Sequence, residues 1–237
     1  MEYLIDNQEI EKIFKSIIRA IPSMQNGNTA ESMEQRGIVY EKNFGCSIVD
    51  LKMFASTLEK NHLLALKLWN KKWRETKILA TLLDEPYRVS EEQMDFWLKT
   101  SENIELVEQA VINLFCDTPF AFVKALEWCR GKKLLVKQAG LLMMGRLALV
   151  SKSAIDDMFE PFFEVISPLS KDSMLFDPLY RSVCQLARRS NVLHGQCVSF
   201  AQMLTTFDEA NARTIGNELL TEIDNNEFKK LIREKQQ

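Results

Sequence analysis

The side chains with the clearest potential for chemistry are basic, and they are concentrated in two segments. One segment runs from Glu127 to Asp156 and the other from Asp177 to Asp208, and neither contains an acidic residue between its ends. The basic residues are Arg130, Lys132, Lys133, Lys137, Arg146, Lys152, Arg181, Arg188 and Arg189. Although the net charge of the chain is -3, such segregation can create a local positive surface that attracts phosphates. The alternative interpretation is a set of solvated helix faces.

Other kinds of chemical site are not indicated by residue spacing. His62 and His194 have no partners at metal-ligand spacing, and no glycine-rich phosphate loop is present. The five cysteines also lack metal-ligand spacing, and an odd number cannot pair completely within one chain. We therefore predict no metal and no cofactor, and we interpret the cysteines as reduced core residues.

The basic segments must be positioned by helices. The chain has only 8 glycines and 6 prolines, too few for the many turns of a β-rich protein. Apolar residues recur at helical spacing in residues 103–115 and 133–150, and the second of these segments is apolar on both sides. We therefore predict an all-α fold of antiparallel helix pairs, roughly 30 to 40 residues per pair, with residues 133–150 central and buried. A compact, non-repetitive bundle is the structural alternative.

Two helix starts are indicated by capping patterns, and the ends of the chain give no targeting signal. Ser90 begins a capping box, and Asp117 precedes a proline suited to a first helical turn. The N-terminus lacks the pattern of a signal peptide, and the longest apolar stretch, Ala139 to Val150, is short and contains Arg146. We expect a cytoplasmic protein with no membrane partner.

Three stretches carry a family resemblance through their joint order and spacing. The first contains Leu66-Lys67-Leu68-Trp69-Asn70 and continues to Pro86. The second contains Glu91-Glu92-Gln93-Met94-Asp95-Phe96-Trp97, and the third contains Val136-Lys137-Gln138-Ala139-Gly140-Leu141. Over about residues 40 to 190 the chain resembles the AlkD-like family of HEAT-like repeat DNA glycosylases.

The resemblance implies both a fold and an activity. The implied fold is one HEAT-like repeat domain over residues 1–237, a right-handed superhelix of antiparallel helix pairs with a concave positive surface that holds duplex DNA. Active members of the family hydrolyse the N-glycosidic bond of cationic N3- and N7-alkylpurines. A carboxylate stabilises the developing oxocarbenium charge, and aromatic faces hold the cationic lesion.

The site residues implied by the resemblance are only partly kept. The catalytic aspartate of the family aligns with Glu108, which keeps a carboxylate but is one methylene longer. Its first tryptophan aligns with Ile104, its arginine with Gln138 and, more loosely, its second tryptophan with Arg181. Misplacement of a carboxylate by about an ångström can reduce the rate on the order of a hundredfold. We therefore expect excision of simple methylpurines to be weak or absent.

Further roles are assigned residue by residue. Phosphate contacts are predicted for Lys137, Arg181, Arg188 and Arg189, with solvated surface as the alternative for each. Glu108 is the candidate catalytic residue, or else a surface acid that continues the run through Glu102 and Glu105. The side chains of Trp69, Trp97 and Trp128 are predicted to be core, and Trp73 to be the most exposed tryptophan.

Three functions therefore stay open at the level of sequence. The first is an alkylpurine DNA glycosylase that uses Glu108. The second is a non-catalytic relative that recognises unusual DNA shape through its phosphates. The third is a helical scaffold for protein interactions. The predicted partner is DNA, duplex and damaged or branched, with no obligate protein partner.

Overall fold

The computed structural model describes residues 3–235, with side chains through residue 232, and every regular element in that range is a helix. The chain divides into two compact units, residues 1–119 and 120–237. The first unit contains α1 (Gln8–Ala20), α2 (Gly27–Gln35), α3 (Ile48–Ala55), α4 (His62–Asn70), α5 (Arg74–Leu83), α6 (Glu91–Lys99) and α7 (Ile104–Asn113). The second contains α8 (Ala121–Cys129), α9 (Leu134–Val150), α10 (Glu160–Ile166), α11 (Phe176–Ala187), α12 (Asn191–Thr205), α13 (Ala210–Ile223) and α14 (Asn226–Lys235). The all-α prediction is confirmed, while a single domain stays a prediction.

In the first unit, helices stack at a nearly constant offset along the sequence. Helix α5 packs on α4 and on α7. Near the start of α5, Arg74 donates to Glu105, 31 residues later; near its end, Thr81 accepts from Asn113, 32 residues later. Because both ends show the same offset, α5 and α7 run parallel. Parallel helices one repeat apart are what stacked helix pairs produce.

The second unit shows the same arrangement with a longer offset. Helix α9 packs between α8 and α11, and α12 packs on α11 and α13. Ser182 donates to the Leu141 carbonyl at 2.5 Å, and the Arg189 guanidinium donates to the Ala148 carbonyl at 3.0 Å. Both bonds join residues 41 apart, which makes α9 and α11 parallel. This offset lies within the range typical of HEAT repeats.

Small residues allow α9 to approach both of its neighbours closely. A Cβ at Gly140 would lie 2.6 Å from the backbone nitrogen of Cys129 on α8. A Cβ at Gly145 would overlap the Gln185 side chain and lie 3.0 Å from the Cα of Ser182 on α11. Since α9 is held between two helices, most residues of its central part, 139–148, are buried, whereas residues 133–138 and 149–150 are partly or fully accessible. The prediction of a buried segment over residues 133–150 therefore holds for its middle but not for its ends.

Tryptophans contribute to the cores of both units as predicted. The rings of Trp69 on α4 and Trp97 on α6 stack with centroids 4.1 Å apart, and the Trp69 indole nitrogen donates to Thr100. Trp128 is buried in the second unit, whereas Trp73 is half-buried and is the most exposed of the four.

The two capping predictions have different outcomes. The Ser90 hydroxyl accepts from the Gln93 backbone nitrogen at the start of α6, so the N-cap is confirmed. The Gln93 side chain donates to Asp84 instead of Ser90, so the capping box is not completed. The helix start predicted at Asp117 is wrong, because Asp117 ends a 3₁₀ turn that begins at Phe115. The Thr118 hydroxyl donates back to the Phe115 carbonyl, and the next helix, α8, starts only at Ala121.

Candidate nucleic-acid interface

One face of α9 remains accessible although most residues of its central part, 139–148, are buried. Residues 138, 142, 146 and 149 share this face, because spacings of three and four residues place side chains on one side of a helix. Gln138, Leu142 and Arg146 are half-buried, and Leu149 is exposed. No acidic residue occurs in Leu134–Val150, so this face carries positive charge only.

The accessible face of α11 adjoins that of α9. The side chain of Gln185 lies against the backbone at Gly145, which brings the two faces to a shared edge. Arg181 and Arg188, one turn to either side of Gln185, are exposed. We call residues 138, 142, 146 and 149 of α9 with residues 181, 185 and 188 of α11 the basic face. It combines the two segments in which the sequence lacks acids.

The predicted phosphate-binding residues differ in their counterions. The ammonium of Lys137 lies 3.9 Å from Asp172, and Lys137 is about 100° around α9 from Gln138, away from the basic face. The guanidinium of Arg188 lies 3.6 Å from Glu222 on α13 and packs over the ring of Phe228. Both pairs are open to solvent, so they can exchange for a phosphate with little loss.

Arg189 is committed to contacts within the second unit. Its guanidinium donates to the carbonyls of Ala148 and Ala154 and lies 3.3 Å from Asp156. The same group lies 4.7 Å from the centre of the Phe159 ring. These contacts hold the chain that follows α9, so the predicted phosphate contact of Arg189 competes with a structural role.

Arg181 has the opposite character. It is exposed on the basic face, and within the described chain its guanidinium forms no hydrogen bond or ion pair. An arginine keeps its charge at any physiological pH and presents donors that match phosphate oxygens. Arg181 is therefore available to an anionic ligand without first losing a protein partner.

The remaining positions of the implied lesion site lie in the first unit. Ile104 and Glu108 are four residues apart and share a face of α7 with the exposed Ile112. Both Ile104 and Glu108 are half-buried. On this face of α7, Glu108 is therefore flanked by two isoleucines, and neither of them offers an aromatic ring.

Two acids close to Glu108 in the sequence are paired with cations, while the choice between a catalytic and a surface role for Glu108 itself stays a prediction. Arg74 donates to both carboxylate oxygens of Glu105, at 2.7 and 2.9 Å, and Tyr40 donates to it at 2.7 Å. Burial and the charge of Glu105 raise the pKa of Tyr40 above its usual range. Glu102 lies 3.2 Å from the buried ammonium of Lys77. No local pattern in the sequence indicates these pairings.

Other kinds of site find little support in the part of the chain that the structure describes. Among these residues no group of three or more His, Cys, Asp or Glu side chains could hold a metal ion. Within the same range, no helix combines the length and the hydropathy needed to cross a membrane.

The comparisons with known proteins agree with the fold. No curated protein matches the chain. A solved structure does, and it is described as a new family of proteins related to the HEAT-like repeat DNA glycosylases with affinity for branched DNA structures. The identity is 18%, the match covers 89% of this chain and 95% of that one, and the TM-score is 0.69. This likeness establishes a HEAT-like fold of antiparallel helix pairs, as the sequence predicted.

A family model points the same way over a large part of the sequence. The model described as DNA alkylation repair enzyme matches residues 17–176. This range includes Ile104, Glu108 and Gln138 but ends before Arg181. Because the match covers more than half of the 237 residues, the chain belongs to the DNA alkylation repair enzyme family.

Proposed function

We propose that the protein binds DNA through the basic face and recognises the shape of the phosphate backbone, with a preference for branched over simple duplex DNA. The observation that carries this proposal is the basic face itself, where α9 and α11 present arginines and no acid lies between them. Backbone contacts position a protein on DNA without reading base sequence. The spacing of the arginines can then favour an unusual arrangement of DNA strands over a simple duplex.

The preference for branched DNA is supported by the structural neighbour, a protein with affinity for branched DNA structures. Its sequence identity to this chain is only 18%, so the preference rests on shared architecture and on family membership. A junction brings phosphates of several strands close together, which raises the local negative charge. A face with cations on two neighbouring helices can contact several of these phosphates at once, which a single cation cannot do.

We further propose that excision of methylpurines is weak or absent. Ile104 offers no aromatic face, Gln138 offers no positive charge and Arg181 offers no second aromatic ring. Only Glu108 retains the chemical class that stabilises an oxocarbenium ion. The half-burial of Glu108 nevertheless favours a second candidate function, residual glycosylase activity, because a carboxylate acts more strongly where water is partly excluded.

The binding proposal is tested by fluorescence anisotropy with a single strand, a duplex and a four-way junction of related sequence. We expect affinity to fall steeply with salt, because phosphate contacts release counterions, and the junction to bind most tightly. The double variant Arg181→Ala/Arg188→Ala should bind more weakly with a shallower salt dependence. Lys99→Ala, an exposed cation on α6, is the matched control. An absence of binding at about 50 mM salt, or binding that ignores salt, contradicts the proposal.

The catalytic alternative is tested by release of 7-methylguanine and 3-methyladenine from alkylated duplex DNA. We expect little release above the spontaneous rate from the wild type. Robust release that collapses in Glu108→Gln would instead establish the glycosylase function and assign its carboxylate. Robust release that persists in Glu108→Gln would mean that another residue carries the chemistry. The DNA-binding proposal is judged independently, from the anisotropy measurements.

A further inference from the structure

Arg146 has an unusual environment on the basic face. Its Nε atom is buried and has no hydrogen-bond partner. Within the described chain, Arg146 forms no ion pair or hydrogen bond, and its two terminal nitrogens are not among the buried unpaired atoms. The guanidinium is therefore open to solvent at its outer end and desolvated at its inner end. A buried donor without an acceptor is unfavourable and calls for an explanation.

Three nearby cations of the second unit have an acidic neighbour, which Arg146 lacks among the described residues. Lys137 has Asp172, Arg188 has Glu222 and Arg189 has Asp156 as an acidic neighbour. Arg146 instead lies between Leu142 and Leu149 on its own helix face. Apolar neighbours lower the local dielectric constant, which strengthens the attraction of the guanidinium for an anion that reaches it.

A second arginine without a partner lies on the neighbouring helix. By the 41-residue offset, Arg181 of α11 is level with Gly140 of α9, six residues before Arg146. This places the two arginines ~9 Å apart along the helices and ~8–10 Å apart across them. Such a separation is too large for one phosphate ion to contact both, but it suits two phosphates of one nucleic-acid backbone.

We propose that Arg146 binds a backbone phosphate of DNA while Arg181 binds another phosphate of the same molecule. This inference rests on the proposed function and adds a specific anchor to it. The planar guanidinium can donate two parallel hydrogen bonds to phosphate oxygens. The phosphate also provides the negative charge that no acidic side chain of the described chain provides to Arg146. Arg146 is a binding residue in this arrangement, with no part in bond cleavage.

The binding test compares Arg146→Gln with Lys152→Gln. Lys152 is exposed just after α9, so its substitution removes the same charge from a solvated position. We expect Arg146→Gln to weaken junction binding about tenfold and to lower the slope of log affinity against log salt by about 0.9, the contribution of one phosphate. Lys152→Gln should change affinity less than about twofold. Equal effects of the two substitutions would overturn the assignment.

A stability measurement separates a binding role from a structural one. Arg146→Met keeps an apolar stem and removes the buried unpaired donor, so we expect the Tm to rise by about 2–4 °C while DNA affinity falls. A structural arginine would give the opposite shift in Tm. A lower Tm together with unchanged affinity in the folded variant contradicts the proposal.

Two further outcomes identify the ligand. Isothermal titration with inorganic phosphate should show no saturable binding to the wild type, and saturable binding abolished in Arg146→Gln would replace DNA by a free phosphate. If the wild type binds no DNA probe, the proposed function fails and this inference fails with it. If the wild type binds DNA and Arg146→Gln binds equally well, only the inference fails.

Discussion

The two units use different means to fix the stacking of their helices. In the first unit, α5 contributes charged side chains to the interior: Arg74, Glu75 and Lys77 are at most 3% exposed. In the second unit, α9 has no buried charge of this kind, and its register is fixed by Gly140 and Gly145, where backbones approach closely. Ion pairs specify the register in one case and small residues specify it in the other.

This difference has a consequence for function. The charges of the first unit largely compensate one another, since Arg74 pairs with Glu75 and Glu105 and Lys77 pairs with Glu102. In the second unit, Arg146 and Arg181 are left without acidic partners in the described chain. Because the register of α9 does not depend on ion pairs, its arginine can stay available for a ligand.

Removal of Arg74 tests whether buried ion pairs hold the helices of the first unit together. Arg74→Met leaves Glu75 and Glu105 without their buried partner, and we expect a loss of about 3–5 kcal/mol in the free energy of unfolding. Urea denaturation measures this loss. Arg88→Met, at an exposed pair with Glu85, is the control and should change stability by less than about 1 kcal/mol. Similar losses in both variants would show that the interior charges do not fix the first unit.

The corresponding test in the second unit adds a methyl group to α9. Gly140→Ala places a Cβ against the backbone of α8, and we expect a loss of about 1–3 kcal/mol through overpacking. Gly195→Ala on α12 meets no atom within 4 Å and should stabilise the fold by about 0.4–1 kcal/mol, because alanine restricts the unfolded chain. The paired urea curves check both signs. A stabilising Gly140→Ala would contradict the close approach.

Arg188 and Arg189 are adjacent in the sequence but should differ in their effects on stability and on DNA affinity. Arg189→Ala removes bonds to Ala148 and Ala154 and should lower stability by about 1–2 kcal/mol, with a secondary effect on DNA affinity. Arg188→Ala removes an exposed pair with Glu222 and should leave stability within about 0.5 kcal/mol while it weakens DNA binding. Thermal melts and anisotropy separate these effects. A larger loss of DNA affinity in Arg189→Ala than in Arg188→Ala, without the loss of stability, would support a phosphate contact for Arg189.

The stability of the first unit should also depend modestly on pH through Asp84. Burial raises the pKa of Asp84 above its usual value, and hydrogen bonds from His62 and Gln93 offset only part of this rise. The folded state therefore binds the proton more tightly than the unfolded chain, so the contribution of Asp84 to stability falls as pH rises through the raised pKa.

This dependence is measured as the unfolding free energy of the wild type minus that of Asp84→Asn, between about pH 4 and pH 7. The difference should decrease as pH rises. The same series in a His62→Gln background removes the charge of the imidazole from the comparison. A difference that grows with pH would mean that the carboxylate is stabilised in its ionised form.

Helix-level features were predictable from the sequence because they depend on local patterns. The apolar spacing of residues 133–150 led to a helix observed at Leu134–Val150, and the three core tryptophans were identified by their apolar neighbours. The start predicted at Asp117 failed because a 3₁₀ turn competes for the same residues.

The site was less predictable because its chemistry depends on pairing between repeats. The sequence identified the two basic segments, but it could not distinguish Lys137, which faces Asp172, from Arg146, which faces no acid. Both residues lie on α9, but they are on different sides of the helix, and the packing of α9 on α11 decides which side meets an acid. Likewise, Glu105 belongs to an acidic run in the sequence, yet its partner Arg74 lies 31 residues away.

The fixed 41-residue offset of the second unit also makes it modular. Three hydrogen bonds repeat this offset, including one from Asn211 to the Ser170 carbonyl. A tandem duplication of residues 134–174 would therefore insert a complete copy of α9 and α10 in register with its neighbours. Each inserted repeat would widen the stack by about 8–10 Å, the length of roughly three base pairs of duplex. The DNA footprint proposed above would thus lengthen by one fixed step for each inserted repeat, and each repeat would carry its own copy of Arg146.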